Sequence, residues 1–183
     1  MENFTKKISV DLTPKKKEEK EEKVSKPKEI KKRVITSTDK WTFSNEDLEL
    51  VRQYGYIKEI HSNNIINKEQ CNVIIQHINQ KISGYRNQDV LKSLLSENLV
   101  KFDNVIDLMI KCENQCFYCK KLVHVLYENV REPQQWTLDR MDNNYGHNHD
   151  NVEIACLNCN LRRRTMYHER YVFTKQLQIV KKT

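Results

Sequence analysis

Apolar positions recur at helical spacing after Trp41 and give way to a strand-like texture after Cys119. Ser44, with Asp47 three residues on, predicts a helix start, with Leu48, Val51 and Tyr54 sharing one face and Gly55 as its end. Asn67 and Gln70 predict the start of a second helix, whose stripe of Cys71, Ile74, Ile75, Ile78 and Ile82 runs to Gly84. Val90, Leu91, Leu94 and Leu95 suggest a third helix. Asp103 is placed to cap a fourth, carrying Val105, Ile106, Met109 and Ile110. Beyond Cys119, the run Leu122, Val123, Val125, Leu126 and Tyr127 fits a strand or a short buried helix. Residues 134–139 then read as a strand, 143–150 as a turn-rich connection and 151–155 as the returning strand. A turn at Cys156 and Cys159 follows, and Asn160 opens a last helix. Tyr167, Tyr171, Val172 and Phe173 are expected to pack it onto the module.

The first 39 residues are of another kind. They carry an alternating lysine and glutamate run around residues 15–23 and almost nothing apolar to bury, so burial cannot offset the entropy of ordering them. The pattern divides the chain into a disordered charged tail (1–39), a helical region (40–110) and a cysteine-containing module with a C-terminal helix (111–183). The basic end of the tail, Lys31, Lys32 and Arg33, suits a solvated segment, a nucleic-acid contact or a nuclear signal.

Composition narrows the partners. The chain has 183 residues, a net charge of +7 and an isoelectric point near 9.0, which favours a polyanion such as nucleic acid. No apolar run reaches the length of a membrane span, and the lysine-rich start has no leader character. An intracellular setting, cytoplasmic or nuclear, is expected, without membrane association. Thiols stay reduced there, so cysteine pairs favour metal over disulfide.

Six cysteines are present, and four of them form two C-x-x-C pairs: Cys116 with Cys119, and Cys156 with Cys159. Each pair offers two sulfurs from one turn, and four thiolates complete the tetrahedral shell of a structural zinc ion. Cys71 falls on an apolar stripe and reads as core. Cys112 reads as a small core residue or a spare ligand.

The cysteine pairs bracket an ordered polar series: Leu138-Asp139-Arg140-Met141-Asp142-Asn143, then Gly146-His147, Asn151-Val152 and finally Cys156-x-x-Cys159-Asn160. This series resembles the HNH endonuclease family. It is closest in pattern to the zinc-binding, Asp-Arg variant of phages and large DNA viruses, and more distantly similar to recombination endonuclease VII. The resemblance covers about residues 112–170. It implies an α+β fold with a ββα-metal, treble-clef-like module and a structural zinc. It also implies a divalent-metal-dependent DNA endonuclease, on duplex, branched or single-stranded DNA, in the cell, a viral factory or a virion.

The resemblance implies roles as well. Asp139 and Asn160 would hold a catalytic Mg2+ or Mn2+ through hard oxygen ligands. Asn151 would brace the loop, although a plain turn residue fits there too. The family has a histidine base directly after the metal-binding aspartate, where this chain has Arg140. Arginine stays protonated, so Arg140 is expected to clamp phosphate. The base is then expected at His147, or at His149, or is replaced by metal-bound water; two inert loop histidines remain an alternative. Arg162, Arg163 and Arg164 are the candidate nucleic-acid contacts, with Arg164 on the same helix face as Asn160. The competing readings are a zinc-stabilised nucleic-acid-binding protein without cleavage, and a zinc-stapled interaction protein.

Overall fold

The computed structural model describes residues 30–34 and 42–177. Within them the architecture is α+β: five helices and one two-stranded antiparallel sheet. Helices α1 (Leu50–His61), α2 (Lys68–Leu91) and α3 (Phe102–Lys111) come first. The hairpin β1 (Trp136–Arg140) and β2 (Val152–Cys156) leads directly into α4 (Leu157–Arg163), and α5 (His168–Gln176) closes the order. In the hairpin, Trp136 pairs with Cys156, Leu138 with Ile154 and Arg140 with Val152.

One apolar core serves both the helices and the cysteine module. Tyr56, Ile57, Cys71, Ile74, Ile78, Val105 and Met109 belong to the same buried cluster as Leu126, Trp136, Leu138 and Ile154. Cys71 is core, as its stripe implies. Cys112 is half-buried beside that core, its sulfur facing the Met109 carbonyl.

Helix limits differ from the sequence reading, and glycines do not set them. Ser44 and Asp47 form a separate turn, in which the Asp47 carboxylate accepts from the Ser44 amide and hydroxyl, and α1 starts at Leu50. Its buried face is Gln53, Tyr56 and Ile57, while Val51 lies in solvent. Neither Gly55 nor Gly84 has positive φ, so neither acts as a helix stop: α1 and α2 run through them, and α2 absorbs Val90 and Leu91 of the expected third helix. Asn67 does precede α2, but its side chain turns back to Glu59, whose carboxylate also takes the Ile66 and Asn67 amides. Lys101, not Asp103, precedes α3, and the Asn104 side chain accepts from the Lys101 amide.

The apolar run 122–127 is neither strand nor helix. Its backbone groups are satisfied from outside. The fully buried Gln53 accepts from the amides of Val125 and Leu126 at 2.8 and 2.9 Å, and Asn114 donates to the Val123 carbonyl at 2.9 Å. Part of the expected disordered tail is also structured. Residues 30–34 lie along residues 128–130 through Arg33 N to Glu128 O and Val130 N to Lys31 O, with the Arg33 guanidinium over the Tyr127 ring. The other residues of that expected tail, and Lys181 and Lys182 at the far end, lie outside the described residues. No helix among the described residues is long and apolar enough to cross a membrane.

Candidate metal and nucleic-acid site

The two C-x-x-C turns converge. The sulfurs of Cys116, Cys119, Cys156 and Cys159 all lie within 4.8 Å of one another. Four sulfurs about 2.3 Å from one tetrahedral ion sit ~3.8 Å apart, so the cluster is of the right size for a metal ion such as zinc. All six cysteines are free thiols, and the two outside the pairs take no part in the cluster. The first turn is tied to β2 by the Phe117 amide on the Ile154 carbonyl, and it closes at Lys120, whose φ is 57°. The second turn follows β2 without a break, with the Cys159 amide directed at the Cys156 sulfur. Thiolates are costly here without a cation. The hydrogen bond to Cys156, and then burial, push the Cys116 thiol far up, and burial pushes Cys159 up to about 11. A cation among the sulfurs reverses that pressure by favouring thiolates.

Alternation along β1 sends Thr137 and Asp139 to one face, and Trp136, Leu138 and Arg140 to the other. The first face receives α4. Asn160 donates from Nδ2 to the Thr137 hydroxyl at 3.0 Å and to the Leu138 carbonyl at 3.2 Å. Three residues on, Arg163 grips Asp139 with two parallel bonds, Nε to Oδ2 at 2.7 Å and a terminal nitrogen to Oδ1 at 3.0 Å. The Tyr118 hydroxyl, from inside the first cysteine turn, donates to the same Oδ2 at 2.5 Å. Asp139 and Asn160 are thus brought to one strand–helix crossing beside the cysteine cluster.

Arg163, a candidate nucleic-acid contact, is only 1% exposed, and in this structure its charge is paired with Asp139 inside the protein. Arg164 is exposed, but α4 stops at Arg163 and Arg164 adopts φ 53°, so it does not continue the helix face of Asn160. Arg162 is exposed. Tyr171 packs edge-on against Tyr118, whereas Tyr167 and Phe173 are in solvent, so only part of the expected α5 contact forms.

The loop between the strands is braced from within. The Asn151 side chain spans its neck, accepting from the Asp142 amide at 3.0 Å and donating to the carbonyls of Asp142 and Gly146 at 2.9 and 3.0 Å. Arg140 adds bonds to the carbonyls of Asn143 and Tyr145, so its guanidinium supports the loop backbone. Gly146 is required by space: a Cβ there would stand 2.5 Å from the Leu94 carbonyl oxygen and 2.8 Å from Asp89 Oδ2.

His147 is 5% exposed and is held by α2. Its Nδ1 bonds Asp89 Oδ1 at 2.8 Å, its amide bonds Asp89 Oδ2 at 2.6 Å, and its ring stacks on Tyr85 with centroids 4.5 Å apart. A carboxylate only accepts, so Nδ1 carries the proton. Burial lowers the His147 pKa, with Asp89 opposing, which keeps the ring neutral near pH 7. No hydrogen bond or ion pair among the described residues links His147 to Asp139 or Asn160, so its observed work is anchoring the loop. His149 is exposed and bonds the Asn98 carbonyl.

Sequence reasoning missed Tyr118 and the α2 residues. The latter had a signal: His77, Lys81, Tyr85 and Asp89 recur every four residues, a polar stripe beside the apolar one. Lys81 donates to the Trp136 carbonyl and Tyr85 accepts from the Leu138 amide, both on β1. No protein-family model, curated protein or solved structure matches this chain.

Proposed function

We propose that the chain is an HNH-type endonuclease module that hydrolyses phosphodiester bonds of DNA. The observation that carries this reading is the convergence of Asp139 and Asn160 at one strand–helix crossing, next to four clustered cysteines. The order hairpin, cysteine turn, helix is the order that the HNH resemblance implies. Zinc on the four sulfurs would fix the hairpin relative to α4.

The donor chemistry also suits a hard divalent cation. Asp139 supplies a carboxylate, paired with Arg163 in this structure. Asn160 spends Nδ2 on β1, which leaves its amide oxygen with no protein partner among the described residues. Asp139 and Asn160 would hold Mg2+ or Mn2+, which when bound supplies charge neutralisation at the phosphate and an acidified water. The protein's own contribution is positioning. Asn151 and Arg140 fix the loop, Asp89 fixes His147 within it, and the exposed Arg162 and Arg164 can track the phosphate backbone. With His147 committed to Asp89 and Tyr85, no side-chain base is assigned.

A second reading, nucleic-acid binding without cleavage, is favoured by one observation: both Asp139 oxygens are engaged by Arg163 and Tyr118. Supercoiled plasmid separates the two. The nuclease reading expects nicking that requires Mg2+ or Mn2+ and is lost in Asn160→Ala. Salt-sensitive plasmid binding with no nicking under any divalent cation would instead establish the second reading.

A further inference from the structure

We infer that Arg163 is a substrate-displaced guard on the cation site: its guanidinium covers Asp139 until a nucleic-acid phosphate draws it away. The inference rests on the nuclease reading, and it explains the observation that most resists that reading.

Three facts carry it. The pairing is bidentate, at 2.7 and 3.0 Å, and uses both carboxylate oxygens, so a cation cannot approach Asp139 while Arg163 stays. Arg163 is at the last position of α4, and Arg164 has left the helical conformation, so the guanidinium is carried at the end of a short element, not in its middle. Its remaining bonds go to the carbonyls of Met166 and Arg140 and to the Asn143 side chain, neutral acceptors that a phosphate outcompetes. Arginine binds phosphate in the same fork geometry it uses for a carboxylate. A phosphodiester entering beside Asn160 therefore offers Arg163 an equivalent partner. The Tyr118 hydroxyl stays on Asp139 and holds the carboxylate in place during the exchange. The consequence is ordered assembly: cation affinity is low without nucleic acid and rises with it.

The test is Mn2+ binding, read by electron paramagnetic resonance on the zinc-loaded full chain without nucleic acid. Arg163→Gln should bind Mn2+ more than about tenfold tighter than wild type, a change of ~1.4 kcal/mol or more. Asp139→Asn/Arg163→Gln should lose that gain. Arg163→Lys, which keeps the charge but not the fork, should fall between and serves if Arg163→Gln does not fold. In wild type, the Arg163 Nε–Hε resonance should move when a short DNA duplex is added in the absence of divalent cation. Equal Mn2+ affinity in wild type and Arg163→Gln, or an unmoved resonance, overturns the guard. If wild type then still binds Mn2+ through Asp139, the nuclease reading survives that failure. If no variant binds Mn2+, the cation site falls with the guard.

Discussion

The β-hairpin and its loop are each fastened by a buried aspartate, and the two fastenings are chemically opposite. On the α4 face of the hairpin, Asp139 meets Arg163, a cation at any working pH. At the loop, Asp89 of α2 meets His147, whose ring burial keeps neutral. The first joins strand to helix beside the cysteine cluster, where the resemblance places catalysis. The second pins a loop with one short bond to an amide and another to a ring. The difference separates a site built on a charge pair from an anchor built on a histidine that burial keeps neutral.

The largest effect should come from the cysteine cluster beside the hairpin. Cys156→Ser removes one sulfur from the cluster, and structural zinc contributes ~10–16 kcal/mol in small zinc-binding peptides. Circular dichroism and hydrogen exchange should show the hairpin and α4 unfolded, and stable native exchange protection there would contradict a structural metal. Next is the α4 face. Arg163→Ala leaves Asp139 buried without its cation and should cost roughly 3–5 kcal/mol in urea unfolding. A cost below ~1 kcal/mol would mean that water or another cation readily replaces it.

The α2 anchor should respond less, and to pH. Asp89→Asn weakens two hydrogen bonds and should cost about 1–3 kcal/mol. His147 and His77 both have lowered pKa values in the fold, His77 down to about 4 from 6.5, each chiefly through burial. Between those limits the unfolded chain binds more protons, so wild-type stability should fall as pH drops from ~6.5 toward 4. Urea midpoints measured across that range check the sign, and a rise on acidification would mean the histidines bury charged. The smallest effect concerns the surface. Arg162→Ala and Arg164→Ala should leave the unfolding midpoint unchanged, yet each should weaken DNA binding and lower the salt slope by about one.

These expectations also mark what was legible in the sequence. The hairpin, the cysteine turns and the following helix are local: alternation, C-x-x-C spacing and turn residues lie within a few positions of the structure they specify. The brace role of Asn151 came with the family resemblance, beside an equal reading as a plain turn residue, and its bonds to Asp142 and Gly146 fit the brace. What stayed hidden is satisfied across the chain. Gln53 completes the backbone of residues 125 and 126, Asp89 orients His147, and Arg163 turns inward because Asp139 lies below it. Each partner is 24 to 73 residues away in sequence, and no periodicity records it. A run such as 122–127 looks like a strand because it is apolar, and it fails to be one because side chains take its amides first.

Zinc K-edge X-ray absorption on the purified protein decides whether the four cysteines hold a structural metal. One zinc per chain is expected, surrounded by four sulfurs at about 2.3 Å. Protein free of zinc yet folded, or a shell containing nitrogen or oxygen in place of a sulfur, would overturn the four-cysteine site.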